Sequence, residues 1–212
     1  MKNVIVCSLD GYAFEVIEYL NSMKTKDSYT IKGYLDTSDD HILEKHKLGE
    51  YLGTIEAYSA IENDVFVIGT MDLEKRASII EIIEENKWQC INIIHPSATI
   101  SPTAQLGTGN IIGPNCLIMS NTNIGDYNVF NYNCSVGHDS IIGQNNVFSS
   151  NCHLTASVAV LDSNFFGTKV SVIPEISIGN ANRFQAGITI DANIKDKALC
   201  HIKNINKVSY IF

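Results

Sequence analysis

His138 has a side chain that could carry out proton transfer. It stands in the segment SVGHDS, directly after Val136 and Gly137. Imidazole titrates near neutral pH, so it can take a proton from an amine or a hydroxyl as that group attacks an electrophile. The chain also has six cysteines but no CxxC pair, and we therefore expect no metal site.

The composition disfavours several classes of function. The 212 residues fit one domain or two small ones, and 45% apolar against 18% charged residues predicts a folded core. The net charge of −8, without clustered Lys and Arg, disfavours binding to nucleic acid. The apolar start of the chain stops at Asp10, which is too early for a signal peptide or a membrane helix. We expect a cytoplasmic protein with reduced cysteines and no membrane insertion.

An apolar residue recurs at every sixth position from Ile94 to Ile190. The positions are Ile94, Ile100, Leu106, Ile112, Ile118, Ile124, Phe130, Val136, Ile142, Phe148, Leu154, Val160, Phe166, Val172, Ile178, Phe184 and Ile190. Seven of them are followed by glycine, where a Cβ would hinder a tight corner: Gly107, Gly113, Gly125, Gly137, Gly143, Gly167 and Gly179. A period of six fits neither an α-helix nor an alternating strand. It predicts a parallel β-helix of hexapeptide repeats with the apolar residues inside.

Three further series repeat at a spacing of eighteen. They are Phe130, Phe148, Phe166 and Phe184; Asn110, Asn128, Asn146, Asn164 and Asn182; and Cys116, Cys134 and Cys152. This spacing means three hexapeptides per coil, and so a triangular prism whose equivalent residues stack roughly 4.8 Å apart. The cysteine series admits a metal or redox site, but small thiols packed inward like apolar side chains are favoured.

The first part of the chain has a different pattern. Apolar runs that predict strands alternate with two helical patterns: VIVCS, AFEVIEYLNSM, YTIKGYLD, DVFVIG, DLEKRASIIEIIEENKW and CINIIH. This alternation predicts a small, Rossmann-like parallel α/β domain over residues 1–90. The β-helix then forms a second domain over residues 91–212. The predicted fold class is α/β followed by all-β.

Ligands of parallel sheets bind at the carboxyl ends of the strands. Ser8, Asp10 and Gly11 lie in the loop after the first strand, which has only one glycine and is therefore a weak pattern for a phosphate site. Asp36 ends the second strand, where either a ribose contact or a solvated turn residue is expected. Arg76 opens the long helix, either to reach a phosphate or as a surface charge.

The whole chain resembles the sialic acid O-acetyltransferase-type family of hexapeptide-repeat acyltransferases. That family includes N-acetyltransferases of nucleotide-linked 4-amino-6-deoxy sugars. The stretches that carry the resemblance are GYLD, LGTIE, VFVIGTMDLEKR, INIIHPSATIS, SVGHDSIIG and AGITIDANIKD. The resemblance implies an N-terminal nucleotide-sugar-binding domain and a left-handed β-helix. It also implies a homotrimer that binds acetyl-CoA in grooves between subunits.

The resemblance also assigns roles to residues. His138 matches the family's catalytic base, Asp139 the acid that orients it, and Asn131 a polar active-site residue. Ala156 lies eighteen residues after His138, where the family usually has a glycine whose amide N–H faces the thioester oxygen. The residues that match the coenzyme groove are Ala156, Gly167, Ala186 and Gly187.

The chain departs from the family at several places. Ser8 and Ala13 stand where glycines are usual in the first loop, and Val147 replaces a second family histidine. Three functions stay open. The first is acetyl transfer to the amine of a nucleotide-linked amino-deoxy sugar, in surface polysaccharide or glycan synthesis. The second is O-acetylation of a sialic-type or other sugar hydroxyl. The third is a non-catalytic, sugar-nucleotide-binding scaffold, against which the pair His138 and Asp139 argues.

Overall fold

The computed structural model describes residues 1–23, 29–37 and 49–201. The end of the predicted second domain, residues 202–212, lies outside this range. Within the described ranges the chain forms a small parallel sheet with two helices, followed by a long parallel β-solenoid. No described helix has the length and apolar character needed to cross a membrane.

The described residues of the first part form a four-stranded parallel sheet and two helices. The elements are β1 Lys2–Cys7, α1 Gly11–Ser22, β2 Tyr29–Asp36, β3 Glu50–Thr54, β4 Asp64–Ile68 and α2 Leu73–Glu85. The strand order is β3-β2-β1-β4, with every pairing parallel. The sequence did not predict β3, because its residues are partly exposed and carry no apolar run.

Both helices begin at an aspartate that caps the first turn. Asp10 accepts a hydrogen bond from the backbone N–H of Tyr12, and Asp72 accepts from those of Glu74 and Lys75. Such side chains satisfy amide groups that have no partner inside the helix. The two capped ends fix where the loops after β1 and β4 turn into helices.

As far as residue 201, the solenoid has eighteen two-residue strands arranged in three faces. The first face contains β5 Ile93–Ile94, β8 Ile111–Ile112, β11 Val129–Phe130, β14 Val147–Phe148, β17 Phe165–Phe166, β20 Arg183–Phe184 and β22 Leu199–Cys200. The second face contains β6 Thr99–Ile100, β9 Leu117–Ile118, β12 Ser135–Val136, β15 His153–Leu154, β18 Ser171–Val172 and β21 Thr189–Ile190. The third face contains β7 Gln105–Leu106, β10 Asn123–Ile124, β13 Ile141–Ile142, β16 Ala159–Val160 and β19 Ser177–Ile178. The chain visits the faces in this order, and we name each edge by the two faces that it joins.

The predicted spacing of eighteen is confirmed inside the prism. The phenylalanine rings stack with centroids 4.7, 4.5 and 4.6 Å apart. The asparagines are fully buried, and each side-chain amide donates to the side-chain oxygen of the preceding one, at 2.9 to 3.2 Å. The three cysteines are buried with free thiols, as expected for small inward-facing side chains.

The repeat glycines are required by the neighbouring coil. A Cβ built on Gly137 would lie 2.5 Å from the carbonyl carbon of Thr155 and 2.7 Å from the backbone nitrogen of Ala156. The left-handed backbone falls two positions later in the repeat, at residues such as Asn121 and Asp139, with φ of 57° at both. The predicted steric conflict at the repeat glycines is therefore correct, but the left-handed turn is made by the residues two positions after them.

The solenoid extends beyond Ile190, where the sequence pattern ends. Ile178 pairs with Ile194 and Arg183 with Leu199, a spacing of 16 instead of 18. The last coil thus continues the prism through a turn that is two residues shorter, which hides it from a search at a period of six.

The α/β part packs against the outer side of the first face. Ile111, Val129 and Val147 point outward there and are buried in one cluster with Val16 of α1 and Val67 of β4. Burial of apolar surface on both sides of this contact favours a fixed arrangement of sheet and solenoid.

Arg76 fastens α2 to the solenoid. Its side chain is fully buried and donates to the carbonyl oxygens of Thr70 and Tyr127 at 2.8 and 2.5 Å and to Oδ1 of Asn145 at 3.0 Å. Burial lowers the pKa of its guanidinium to about 10. Neither reading from the sequence, as a phosphate ligand or as a surface charge, is correct.

Candidate active site on the second–third edge

His138 and Asp139 form a pair on the second–third edge of the prism. They follow β12 and Gly137, and their side chains are 56% and 53% exposed. Nδ1 of His138 lies 2.7 Å from Oδ2 of Asp139. This contact engages one imidazole nitrogen and leaves Nε2 as the nitrogen available to a substrate.

The carboxylate of Asp139 is held from two sides. Oδ2 contacts His138, and Oδ1 accepts a hydrogen bond from Nδ2 of Asn121 at 3.1 Å. The hydrogen bond with His138, followed by that with Asn121, lowers the pKa of the Asp139 carboxyl. Asp139 is therefore ionised at neutral pH and favours a proton on Nδ1 of His138, so that Nε2 is the basic atom.

Ala156 lies beside His138 on the next coil. The backbone N–H of Ser157, its neighbour, donates to the carbonyl oxygen of His138 at 2.9 Å. Within the described ranges the backbone N–H of Ala156 has no hydrogen-bond partner. An unpaired amide at this position can donate to an oxygen that becomes negative next to His138.

Gly167, Ala186 and Gly187 meet on a different edge, between the first and second faces. A Cβ on Gly167 would lie 2.6 Å from the backbone nitrogen of Ala186, so the two coils touch there. Gly187 has a φ of +77° and open space around its Cα. The whole second face separates this group from His138 within one chain.

Asn131 is on the first–second edge as well, two coils before Gly167. It is buried, and its Oδ1 accepts hydrogen bonds from the hydroxyl of Tyr19 at 3.1 Å and from the backbone N–H of Tyr132 at 2.7 Å. Asn131 therefore joins α1 to the solenoid, and it does not adjoin His138 of the same chain.

The predicted substrate residues at the sheet lie at the carboxyl ends of β1 and β2. Ser8 has a φ of 69°, and its buried Oγ has no partner among the described residues. Asp10 caps α1 and also accepts from the hydroxyl of Thr70, so its carboxylate is occupied. Gly11 is exposed with open space around it, and Asp36 accepts from the backbone N–H of Thr37 at 2.8 Å.

The glycine that this end of the sheet requires is Gly69, which sequence reasoning missed. Its N–H donates to the carbonyl of Cys7 at 2.7 Å, and a Cβ there would lie 2.6 Å from the carbonyl oxygen of Ser8. The loops after β1 and β4 therefore interlock. The signal in the sequence was a glycine directly after the strand DVFVI.

Val147, which stands in place of the second family histidine, and His153, the next histidine in the chain after His138, fall on separate faces. Val147, at the place of a second family histidine, is buried on the first face under the α/β part. His153 lies on the second face, where its Nδ1 is 2.9 Å from Oγ of Ser135. The two positions are not equivalent.

A polar depression of about 370 Å³ adjoins Asp139 on the side of the third face. Its lining includes Thr103, Gln105, Asn121 and Asn123. Sequence reasoning missed these residues, although Asn121 lies eighteen positions before Asp139. Among the described residues, no three His, Cys, Asp or Glu side chains come together as metal ligands would.

No known protein family and no curated protein matches the sequence. Solved structures do match the fold. One is a histidine-to-asparagine variant of perosamine N-acetyltransferase from Caulobacter crescentus, in complex with CoA and GDP-perosamine. It has a TM-score of 0.80 at 22% identity and covers 93% of this chain and 92% of its own.

Two further solved structures are similarly close. The acetyltransferase domain of PglB from Neisseria gonorrhoeae, in complex with acetyl coenzyme A, has a TM-score of 0.81 at 20% identity, with 93% and 96% covered. WeeI from Acinetobacter baumannii has a TM-score of 0.81 at 15% identity, with 95% and 97% covered. The chain thus has their fold, a parallel β-solenoid of the left-handed β-helix type, and the predicted resemblance is confirmed at that level.

Proposed function

We propose that this protein transfers acetyl from acetyl-CoA to the amine of a nucleotide-linked amino-deoxy sugar, in the synthesis of a surface polysaccharide or glycan. The observation that carries the proposal is the contact of His138 with Asp139 on an exposed edge, beside the unpaired amide of Ala156. The neighbour in complex with CoA and GDP-perosamine supports the substrate class.

The proposed reaction is a direct attack. Nε2 of His138 takes a proton as the amine nitrogen attacks the thioester carbonyl carbon. The C–N bond forms, the C–S bond breaks, and the proton on His138 passes to the departing sulfur of CoA. The amide N–H of Ala156 donates to the carbonyl oxygen while that oxygen carries negative charge. A positioned amine needs no covalent enzyme intermediate.

The nucleotide is assigned to the first domain, residues 1–90, for which we propose a Rossmann-like fold. Ser8, Asp10, Gly11 and Asp36 lie at the carboxyl ends of β1 and β2, where ligands of parallel sheets bind. The carboxylate of Asp10 is already occupied, so its contribution is to hold the loop. The second domain, residues 91–212, then supplies the acetyl-transfer site.

The coenzyme is assigned to a groove between two subunits of a homotrimer in the cytoplasm. His138 and Ala156 lie on one edge of the prism, while Gly167, Ala186 and Gly187 lie on another. One bound molecule meets both groups when the second–third edge of one subunit faces the first–second edge of the next. Light scattering at micromolar concentration should give the mass of three chains, and a monomer would contradict this arrangement.

Thiol release from acetyl-CoA tests the activity. The purified protein is given a panel of amino-sugar nucleotides and of sugars with only hydroxyl acceptors. We expect turnover with an amino-sugar nucleotide and a loss of at least about 100-fold in kcat for His138→Ala. The control is His153→Ala, which removes another exposed histidine of the solenoid and should leave the activity unchanged.

Three results would contradict the proposal. Undiminished turnover in His138→Ala would remove the general base. Turnover only with hydroxyl acceptors would exclude the amine as the nucleophile. No turnover with any acceptor, together with no heat of acetyl-CoA binding in calorimetry, would favour the non-catalytic scaffold.

A further inference from the structure

The left-handed corner residues form hydrogen-bonded ladders along the edges of the prism. On the first–second edge, Nδ2 of Asn115 donates to Oδ1 of Asn133 at 3.3 Å, and Nδ2 of Asn133 donates to Oδ1 of Asn151 at 3.4 Å. These three residues repeat at a spacing of eighteen and share the same backbone conformation. An asparagine at each rung is therefore sufficient for the ladder.

An equivalent ladder runs along the second–third edge and ends at His138. Oγ1 of Thr103 accepts from the backbone N–H of Asn121 at 3.0 Å, and Nδ2 of Asn121 donates to Oδ1 of Asp139 at 3.1 Å. Here the receiving rung is a carboxylate, and its second oxygen contacts His138. The ladder does not require that charge, since an asparagine serves at the equivalent rung of the neighbouring edge.

We propose that Asn121 is a positioning residue that orients His138 through Asp139. The two carboxylate oxygens of Asp139 belong to one planar group, so fixing Oδ1 also fixes the direction in which Oδ2 meets Nδ1 of His138. In the described part of the chain, Asn121 and His138 are the two side chains that bond this carboxylate. Asp139 is half-exposed, so little packing holds it in the absence of Asn121.

This inference rests on the proposed function for its effect on turnover, while its structural core is separately testable. The orientation of Asp139 decides which nitrogen of neutral His138 carries the proton. With the carboxylate held, the proton sits on Nδ1 and Nε2 is free. When the carboxylate turns away, the imidazole returns toward the Nε2–H form that unconstrained histidines prefer.

The test compares Asn121→Ser with Asn133→Ser in the full-length chain. Serine adopts the same left-handed corner at Ser157 and Ser163, both with a φ of 59°, so both variants should fold. Each removes one Nδ2 donor from one ladder, and only Asn121 contacts Asp139. Long-range ¹H–¹⁵N spectra of the ligand-free protein, at a pH where imidazole is neutral, report the tautomer. The signal of His138 is identified by its loss in His138→Gln.

We expect the Nδ1–H form in the wild type and in Asn133→Ser, and a clear rise of the Nε2–H form in Asn121→Ser. Turnover in Asn121→Ser should fall roughly 3- to 10-fold in kcat with KM unchanged, which is less than the full value of a hydrogen bond to a charged group because Asn121 acts on His138 only through Asp139. The proposal would be overturned if Asn121→Ser had the same His138 tautomer as Asn133→Ser, or the same kcat. If the wild type acetylates nothing, the proposed function fails, and the tautomer comparison still decides the role of Asn121.

Discussion

Nδ1 of His138 and Oδ2 of Asp139 are 2.7 Å apart, although the two residues are adjacent in the chain and half-exposed. Adjacent side chains rarely face each other on a regular strand, where they point to opposite sides. The left-handed backbone of Asp139, with a φ of 57°, turns its carboxylate back toward the imidazole. The corner of the repeat thus creates a pair that a flat strand would separate.

Asp139→Asn should reduce activity without unfolding the protein. Asparagine occupies the same left-handed corner at residues 115, 121, 133, 145 and 151, so the backbone accepts it. The neutral amide no longer enforces the Nδ1–H form of His138, and kcat should fall at least about 10-fold. Steady-state kinetics and thermal unfolding measured together check both parts. An unchanged kcat, or a collapse of the unfolding temperature, would contradict this expectation.

Gly137→Ala should destabilise the solenoid and displace the Ala156 amide. The added Cβ would meet the backbone of Thr155 and Ala156 at 2.5 to 2.7 Å, and backbone cannot swing away as a flexible side chain can. We expect a loss of about 2 kcal/mol in the free energy of unfolding, typical of overpacking. Urea unfolding measures it. Gly11→Ala is the matched control, because a Cβ there meets nothing within 4 Å and stability should hold or rise slightly.

Arg76→Lys should be strongly destabilising although it preserves the charge. The planar guanidinium serves three acceptors at once, two carbonyl oxygens and Oδ1 of Asn145, and an ammonium group cannot reach all three. A loss of about 3 kcal/mol in the free energy of unfolding is expected from unpaired buried groups. Arg183→Lys, at a half-exposed arginine 3.7 Å from Glu74, should change it by less than about 0.5 kcal/mol. Equal effects of the two substitutions would refute the anchoring role of Arg76.

Asp64 should make the α/β part sensitive to acid. Burial opposes its charge, but hydrogen bonds from the N–H of Ile61 and from the side chains of Tyr58, Lys32 and Asn3 outweigh burial and lower the pKa of its carboxyl. Because the folded pKa is depressed, this stabilisation is complete above the unfolded value of about 4 and is lost as pH falls through the folded pKa.

The corresponding substitution is Asp64→Asn. At pH 7 it should lower the free energy of unfolding by about 2 kcal/mol, and the difference from the wild type should shrink below about pH 4. Urea unfolding at several pH values measures this convergence. Asp36→Asn, whose carboxylate accepts only from Thr37 among the described residues, should change stability little at any pH. A difference for Asp64→Asn that stays constant with pH would contradict the assignment.

The solenoid was predictable because each repeat follows a local rule. Every sixth side chain must be apolar to fill the prism, and the sequence has apolar residues at these positions, such as Phe130 and Phe148. The edge that carries His138 follows from the same count. The resemblance grouped Asn131 with His138, although Asn131 lies seven residues earlier. Seven residues move the chain from one edge to the next, and the resemblance did not reveal that separation.

Contacts between the two parts could not be predicted from the sequence. Arg76 bonds residues 51 and 69 positions later in the chain, and no local pattern distinguishes it from an exposed helical arginine. Gly69 likewise looks like any glycine after a strand, until the carbonyl of Ser8 is placed against it. Such features depend on how distant segments pack.

The buried asparagine column also sets the registration of the coils. A hexapeptide chain can slide by one strand and still point an apolar side chain inward, so hydrophobicity alone leaves several windings nearly equivalent. Sliding by six would move Asn128 away from Asn110 and place its amide against an apolar column, at a cost of about 1–3 kcal/mol for each unpaired group. The asparagine column therefore favours the native winding of the chain over windings in which a coil is shifted by one strand.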